Sequence, residues 1–236
     1  MSDALTADLL LHAYAIGVFP MAESYDDPAI NWYEPRRRGT LPLDGFHVPR
    51  SLAKTIRRGG FEIRIDHDFE AVIRACAAPT PDRPKTWLNE KLIGLYVELA
   101  RDGFAHSVEV WREDALAGGL YGLALGGAFF GESMFSRARD SSKIALVELV
   151  ARLRAGGFTL LDAQFLTAHL ARFGAVEISR ADYLRRLRVA LSQDAMFPAD
   201  DYPLPAGAGW PSSGGSGGGG GGSGSSGSAH SISQTS

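Results

Sequence analysis

Ala105-His106-Ser107-Val108-Glu109-Val110-Trp111 alternates between two kinds of side chain, the period of a strand with one face on a core. Arg112-Glu113-Asp114 reads as a turn, and Ala115–Leu125 and Ala128–Ser133 as two further strands. Gly126-Gly127 between them is a two-residue hairpin signal. Downstream the period changes to 3.6. A helix is expected from Ser141 or Asp140 to Arg154, stopped by Gly156-Gly157. Then come a strand over Thr159–Gln164, a short helix over Thr167–Arg172, a strand over Val176–Ile178 and a last helix to about Leu191. Ser179 with Asp182 resembles the capping box that opens that helix. The order β-β-β-α-β-α-β-α predicts a mixed α/β sheet.

The N-terminal side is less regular. Thr6–Ile16 suits a short helix, after which Gly17-Val18-Phe19-Pro20 turns the chain. Asn31–Tyr33 and Gly39–Leu41 are short strand candidates, Pro49–Arg58 a helix, Phe61–Ile65 a half-buried strand and Asp68–Ala77 a helix. Asn89 caps a helix to about Arg101, with Leu92, Leu95, Tyr96 and Leu99 on one face. The organisation expected is a smaller α+β domain over 1–60, a catalytic domain over 61–195, and a Gly/Ser-rich disordered tail over 203–236.

Composition excludes several classes. All 24 basic and 27 acidic residues precede residue 203, and the net charge is −3, so any nucleic-acid site must be a local patch. The single cysteine, Cys76, excludes an internal disulfide framework and makes a thiolate zinc site untenable. Met1 to Asp8 carries acids and no base, unlike a secretory signal. The longest charge-free apolar run, Ala115–Gly131, is short for a span and rich in glycine, so a cytoplasmic protein is expected. No His pair has ligand spacing with a carboxylate partner, and no P-loop, Gly-x-Ser-x-Gly or Gly-x-Gly-x-x-Gly is present.

Three features stand out as candidate chemistry. Phe129-Phe130-Gly131-Glu132-Ser133-Met134-Phe135-Ser136 puts a carboxylate at the end of an apolar strand. Either a ligand sits on it, or Glu132 pairs with Arg137 or Arg139 while Met134 and Phe135 enter the core. Asp162 and Gln164, two apart in a strand, would share a face; they either aim at a substrate or close a turn as a bonded pair. Seven basic residues lie between Arg36 and Arg58 against one acid, Asp44, and Arg50, Lys54, Arg57 and Arg58 fall on one helical face. That stripe suits a phosphate backbone or is a solvated face. Trp32, Tyr33, Trp87 and Tyr96 are either core or a stacking platform for a base.

These residues lie in strings similar to those of the leucyl/phenylalanyl-tRNA–protein transferases. The resemblance rests on Ala13-Tyr14-Ala15-Ile16-Gly17-Val18-Phe19-Pro20, Phe46-His47-Val48-Pro49-Arg50-Ser51-Leu52, Thr86-Trp87 and Ala105–Trp111. It continues through Gly118-Gly119-Leu120-Tyr121-Gly122, Phe130–Ser136 with Ser142-Lys143, and Asp162-Ala163-Gln164 on to Phe173-Gly174-Ala175. It covers about residues 10–190. Such an enzyme moves Leu or Phe from aminoacyl-tRNA to the α-amino group of proteins beginning with Arg or Lys, which marks them for N-degron proteolysis. The resemblance implies a fold similar to the GNAT acetyltransferases in the C-terminal half, no cofactor and no metal, with a monomer the default.

It also implies roles. Asp162 would act on Gln164, which hydrogen-bonds the attacking amine; whether the pair relays a proton or only positions stays open. Glu132 would meet the acceptor's cation. Leu120, Phe129, Met134, Leu146, Leu149 and Leu161 would hold the donor side chain, Trp87 and Tyr96 would stack on the terminal adenosine, and Arg50, Lys54, Arg57 and Arg58 would hold tRNA phosphates. Departures from the family pattern are Met21 where Trp is usual, Arg172-Phe173 for Ser-Leu, and no Gly-Gly-Asp-rich leader. The rivals are an acyl-CoA N-acyltransferase, disfavoured by the glycine-free Ser136–Lys143, and a non-catalytic RNA-binding module.

Overall fold

In the computed structural model, which describes residues 5–80 and 84–200, the expected hairpins form. β5 (Ala105–Arg112) turns through Glu113 and Asp114, both at positive φ, into β6 (Ala115–Leu125). This is the backbone that a two-residue hairpin loop requires. Gly126 and Gly127 return the chain as β7 (Ala128–Ser136), three residues longer than expected. α5 (Ser141–Ala155) crosses over to β8 (Leu160–Gln164), which pairs parallel to β7. α6 (Ala168–Ala171), β9 (Val176–Ser179) and α7 (Arg180–Leu191) follow, the last capped by Ser179 as expected.

The N-terminal elements are α1 (Ala7–Ala15), β1 (Phe19–Met21), β2 (Asn31–Tyr33), β3 (Arg37–Thr40), α2 (Arg50–Arg58), β4 (Glu62–Ile65), α3 (Phe69–Ala77) and α4 (Glu90–Arg101). β1 is a correction: residues 17–20 do turn, but Phe19-Pro20-Met21 then pairs with β2 as a two-stranded antiparallel sheet. Seven strands form the main sheet in the order β4-β5-β6-β7-β8-β3-β9. β3 therefore leaves its sequence neighbours and lies antiparallel between β8 and β9.

Each face of the sheet carries its own core. Leu10 and Tyr14 of α1, Val72 and Ile73 of α3, Leu92 and Tyr96 of α4 and Tyr183 of α7 pack on one side. Leu52 and Ile56 of α2, with Ile144, Leu146, Leu149 and Val150 of α5, pack on the other. Among the described residues no helix is long and apolar enough to cross a membrane. The tail expected over 203–236 lies outside the described residues.

Candidate active site

β7 and β8 pair only from Ala128↔Leu160 to Phe130↔Asp162, then separate. A cavity of about 330 Å³ opens where they part, lined by residues 131–134 of β7, 161–164 of β8 and Phe165 just beyond it. The carboxyl ends of adjacent parallel strands are the usual place for such a crevice.

Both strands carry a bulge there. On β7, Ser133 faces Tyr121 and Gly131 faces Gly122, which leaves Glu132 as the extra residue. The packing agrees: Phe130 joins the α4 side and Phe129 the α5 side, whereas beyond Glu132 the order inverts, with Met134 on the α5 side and Phe135 on the α4 side. On β8, Gly39 faces Gln164 and Thr40 faces Asp162, so Ala163 is extra. Gln164 has φ 52°, a left-handed backbone uncommon outside glycine. Bulges re-aim side chains, and these two bring Glu132 and Gln164 together: Gln164 Nε2 donates to Glu132 Oε1 at 2.9 Å.

Asp162 is fully buried and its oxygens are occupied. Arg38 donates through Nε at 2.9 Å to Oδ1 and through Nη2 at 2.6 Å to Oδ2, and the Tyr183 hydroxyl donates at 2.8 Å to Oδ2. Oδ1 also accepts the main-chain N–H of Gln164 at 2.9 Å. The bulge at Ala163 breaks the simple i, i+2 relation, so Asp162 meets Gln164 through the backbone. Arg38 donates further to Gly17 O at 3.0 Å and lies 4.5 Å from the ring centres of Phe19 and Tyr183. Burial works against the Arg38 cation, but Asp162 more than offsets it and its pKa is raised. Burial, then the charge of Asp162, pushes the Tyr183 phenol up.

Among the described residues Glu132 forms no ion pair with an arginine. The Tyr96 hydroxyl donates to its Oε2 at 3.1 Å, and the Tyr14 and Tyr96 hydroxyls are 2.6 Å apart. Burial raises the Glu132 pKa to about 7; the hydrogen-bonded phenols Tyr14 and Tyr96, with Tyr96 in direct contact, hold it down, Asp162 raises it and Arg38 lowers it. Arg137 instead reaches Leu116 O, and Arg139 approaches Asp140.

The expected pocket residues divide. Leu120, Met134, Leu146, Leu149, Leu161 and Trp87 line the cavity. Phe129 does not: it lies beneath, before the bulge, with its ring packed on Phe158 and Phe197. Tyr96 is also a correction. It is on the inner face of α4, fully buried, with its ring edge-on to Tyr121, and so has no free face for an adenine. Trp32 and Tyr33 are exposed on β2, and Tyr33 stacks on Phe19 at the cavity wall. Arg50, Lys54, Arg57 and Arg58 are exposed on α2 and form no ion pair with another described residue. Arg38, counted with them in the basic run, is withdrawn from that face by burial on Asp162.

The sequence reading missed Arg38, Tyr14 and Tyr183. Within Arg36-Arg37-Arg38 no local signal separates the buried arginine from its exposed neighbours. Among the described residues no group of three or more His, Cys, Asp or Glu could hold a metal ion.

A family model described as leucyl/phenylalanyl-tRNA protein transferase matches residues 40–188, and one for the N-terminal domain of the same proteins matches 3–36. Proteins named leucyl/phenylalanyl-tRNA–protein transferase are similar over most of the chain. That of Paramagnetospirillum magneticum is 63% identical over 193 residues, covering 82% of this chain and 92% of its own. That of Ruegeria sp. is 60% identical over 201 residues (85% and 94%), and that of Caulobacter vibrioides 58% over 208 (88% and 94%). Among solved structures, L-PGS from Bacillus licheniformis is similar at TM-score 0.39 and 14% identity, over 70% of this chain and 54% of that one, too loosely to decide the fold.

Proposed function

The chain belongs to the leucyl/phenylalanyl-tRNA–protein transferase family, and from that premise we propose how its cavity performs aminoacyl transfer. The enzyme moves Leu or Phe from aminoacyl-tRNA to a protein N-terminus. The finer reading is that the acceptor begins with Arg or Lys, that the product enters N-degron proteolysis, and that the enzyme works as a cytoplasmic monomer. The observation that carries the reading is one cavity that joins an apolar pocket to the Glu132–Gln164 pair.

The donor ester is already activated, so the step needs an unprotonated amine in the right place. The donor side chain enters among Leu120, Met134, Leu146, Leu149 and Leu161. Met and Leu adapt to a flat ring or a branched chain, and one methylene changes such a pocket by only about 1–3 kcal/mol. The terminal adenosine stacks on Trp87, and α2 holds phosphates of the acceptor stem. The acceptor's guanidinium or ammonium meets Glu132, whose oxygens each keep a lone pair beyond the bonds to Tyr96 and Gln164.

Gln164, with its Nε2 committed to Glu132, turns Oε1 to the amine and accepts one N–H, which aims the nitrogen lone pair at the ester carbonyl. The C–N bond forms, the ester C–O bond breaks, and the ribose oxygen leaves with a proton from the amine. A free α-amino group has a pKa of about 7.7–8.0, so a strong base is unnecessary. With its oxygens taken by Arg38, Tyr183 and the Gln164 N–H, Asp162 acts here as the anchor of the Gln164 backbone.

The sheet is read as similar to the GNAT fold over the C-terminal half, with a catalytic unit over 61–195 and a smaller N-terminal unit over 1–60 that lends β3 to the sheet. Coenzyme A is disfavoured at α5, where the Ser142 N–H that could meet a pyrophosphate is already bonded to Ser136 Oγ at 3.0 Å. The deciding assay supplies labelled leucyl-tRNA with a peptide beginning with Arg and the same peptide beginning with Gly. Label on the Arg peptide alone is expected; label on both removes the acceptor rule. Gln164→Ala and Asp162→Asn should each lower turnover at least tenfold, about 1.4 kcal/mol of barrier, and smaller losses would remove both from the mechanism.

A further inference from the structure

We propose that Tyr14 and Tyr96 are positioning residues for the transfer: the two phenols hold the Glu132 carboxylate in the form that fixes the Gln164 amide with its oxygen toward the substrate. The inference rests on the reading that Gln164 aims the acceptor amine.

Tyr96 donates to Glu132 Oε2 at 3.1 Å. Its one hydroxyl proton is then spent, so across the 2.6 Å contact Tyr14 must be the donor and Tyr96 the acceptor. Gln164 donates from the other side at 2.9 Å. Every proton in the row Tyr14, Tyr96, Glu132, Gln164 therefore points to one carboxylate. An ionised carboxylate can only accept, and that forces Gln164 to present its NH₂ to Glu132 and its oxygen to the cavity. A protonated Glu132 could donate instead, and the amide could then turn over.

The phenols are well placed to hold that state. Tyr14 and Tyr96 are fully buried, on α1 and α4, so no water competes for the row from that side. Among the described residues no cation is bonded to Glu132. The charged or titratable groups that face it are Tyr14 from α1, Tyr96 from α4, Arg38 from β3, Asp162 from β8 and Tyr183 from α7. Arg38 is neutralised by Asp162, which leaves hydrogen bonding by the phenols as the main support of the Glu132 anion against burial. Neither tyrosine lines the cavity, so both act through Glu132.

The test compares Tyr96→Phe and Tyr14→Phe with the parent enzyme by kcat/KM for an Arg-peptide acceptor between pH 6 and pH 8.5, a quantity that reports ionisations of the free enzyme. Taking the ratio of parent to variant cancels the titration of the acceptor amine. Loss of a supporting hydrogen bond moves the Glu132 ionisation up by about one pH unit. The ratio should then grow about sevenfold from pH 8.5 to pH 6, with a smaller rise for Tyr14→Phe, and the rise should vanish in a Glu132→Gln background. A ratio that stays constant with pH, whether the variant is slow or fast, overturns the proposal. If Tyr96→Phe does not fold, Tyr14→Phe alone carries the comparison. Gln164→Ala separates the two readings: near-parent activity there removes the role of Gln164 itself, whereas a slow Gln164→Ala with flat tyrosine ratios removes only the role of the phenols.

Discussion

Glu132 is costly to the fold. Its pKa, raised from 4.5 to about 7 mainly by burial, means that the folded protein binds this proton more tightly than the unfolded chain. The sign follows from linkage: the penalty is absent below the unfolded value, grows as pH rises through the interval, and is complete above about 7. Glu132→Gln should therefore stabilise the protein at pH 8, by up to about 3 kcal/mol, and do little at pH 4. Thermal melts at the two pH values measure the difference, and equal shifts at both would contradict it. On the proposed role of Glu132 the same change also removes the acceptor's anionic partner, so gained stability and lost activity should come together. Glu132, Asp162 and Gln164 could be picked out in the sequence because polar groups at the ends of apolar strands are conspicuous. Arg38 could not, since its identity as a buried partner depends on a residue 124 positions away.

The hairpins were legible because Glu113-Asp114 and Gly126-Gly127 are local turn chemistry, and the helices because their caps and apolar faces are local too. β1 was not, for three residues containing a proline show no period. Nor were the two bulges, which belong to the register between strands and leave no mark on either strand alone. β3 supports the bulge on β8 at Gly39. A Cβ there would stand 2.6 Å from the Phe165 carbonyl carbon and 2.7 Å from the Leu166 nitrogen, both main-chain atoms. Gly39→Ala should thus push the loop after Gln164 aside, costing about 1–3 kcal/mol of stability and a larger share of turnover than of tRNA affinity. Steady-state kinetics beside a melt would show it, and unchanged turnover would contradict the close contact. On α2 the opposite pattern is expected. Replacing Lys54, Arg57 and Arg58 together should weaken every aminoacyl-tRNA alike and lower the salt slope of binding by about 2–3, with acceptor KM unchanged. Filter binding at several salt concentrations tests it, and unaltered affinity would return α2 to a solvated face.

Over the whole molecule, the layout explains why total charge was uninformative. The exposed cations of α2 lie on the α5 side of the sheet, while Asp162 and Glu132 are gathered in the wall of the cavity with Arg38 buried against Asp162. Both cores meet at that wall, so the site is where two layers of helices and one sheet must all be in place. β3 has a further consequence, which concerns time. Its neighbours β8 and β9 are made more than a hundred residues after it, and the ion pair that anchors Gln164 closes over the same span. Contacts of that range form slowly because the loop must close before anything is gained. On refolding, helix signal should return first and transfer activity last, which a double-jump activity assay beside far-ultraviolet circular dichroism can resolve. During synthesis the order is fixed by the ribosome: a growing chain displays the cations of α2 well before it holds any part of the wall that β8 builds.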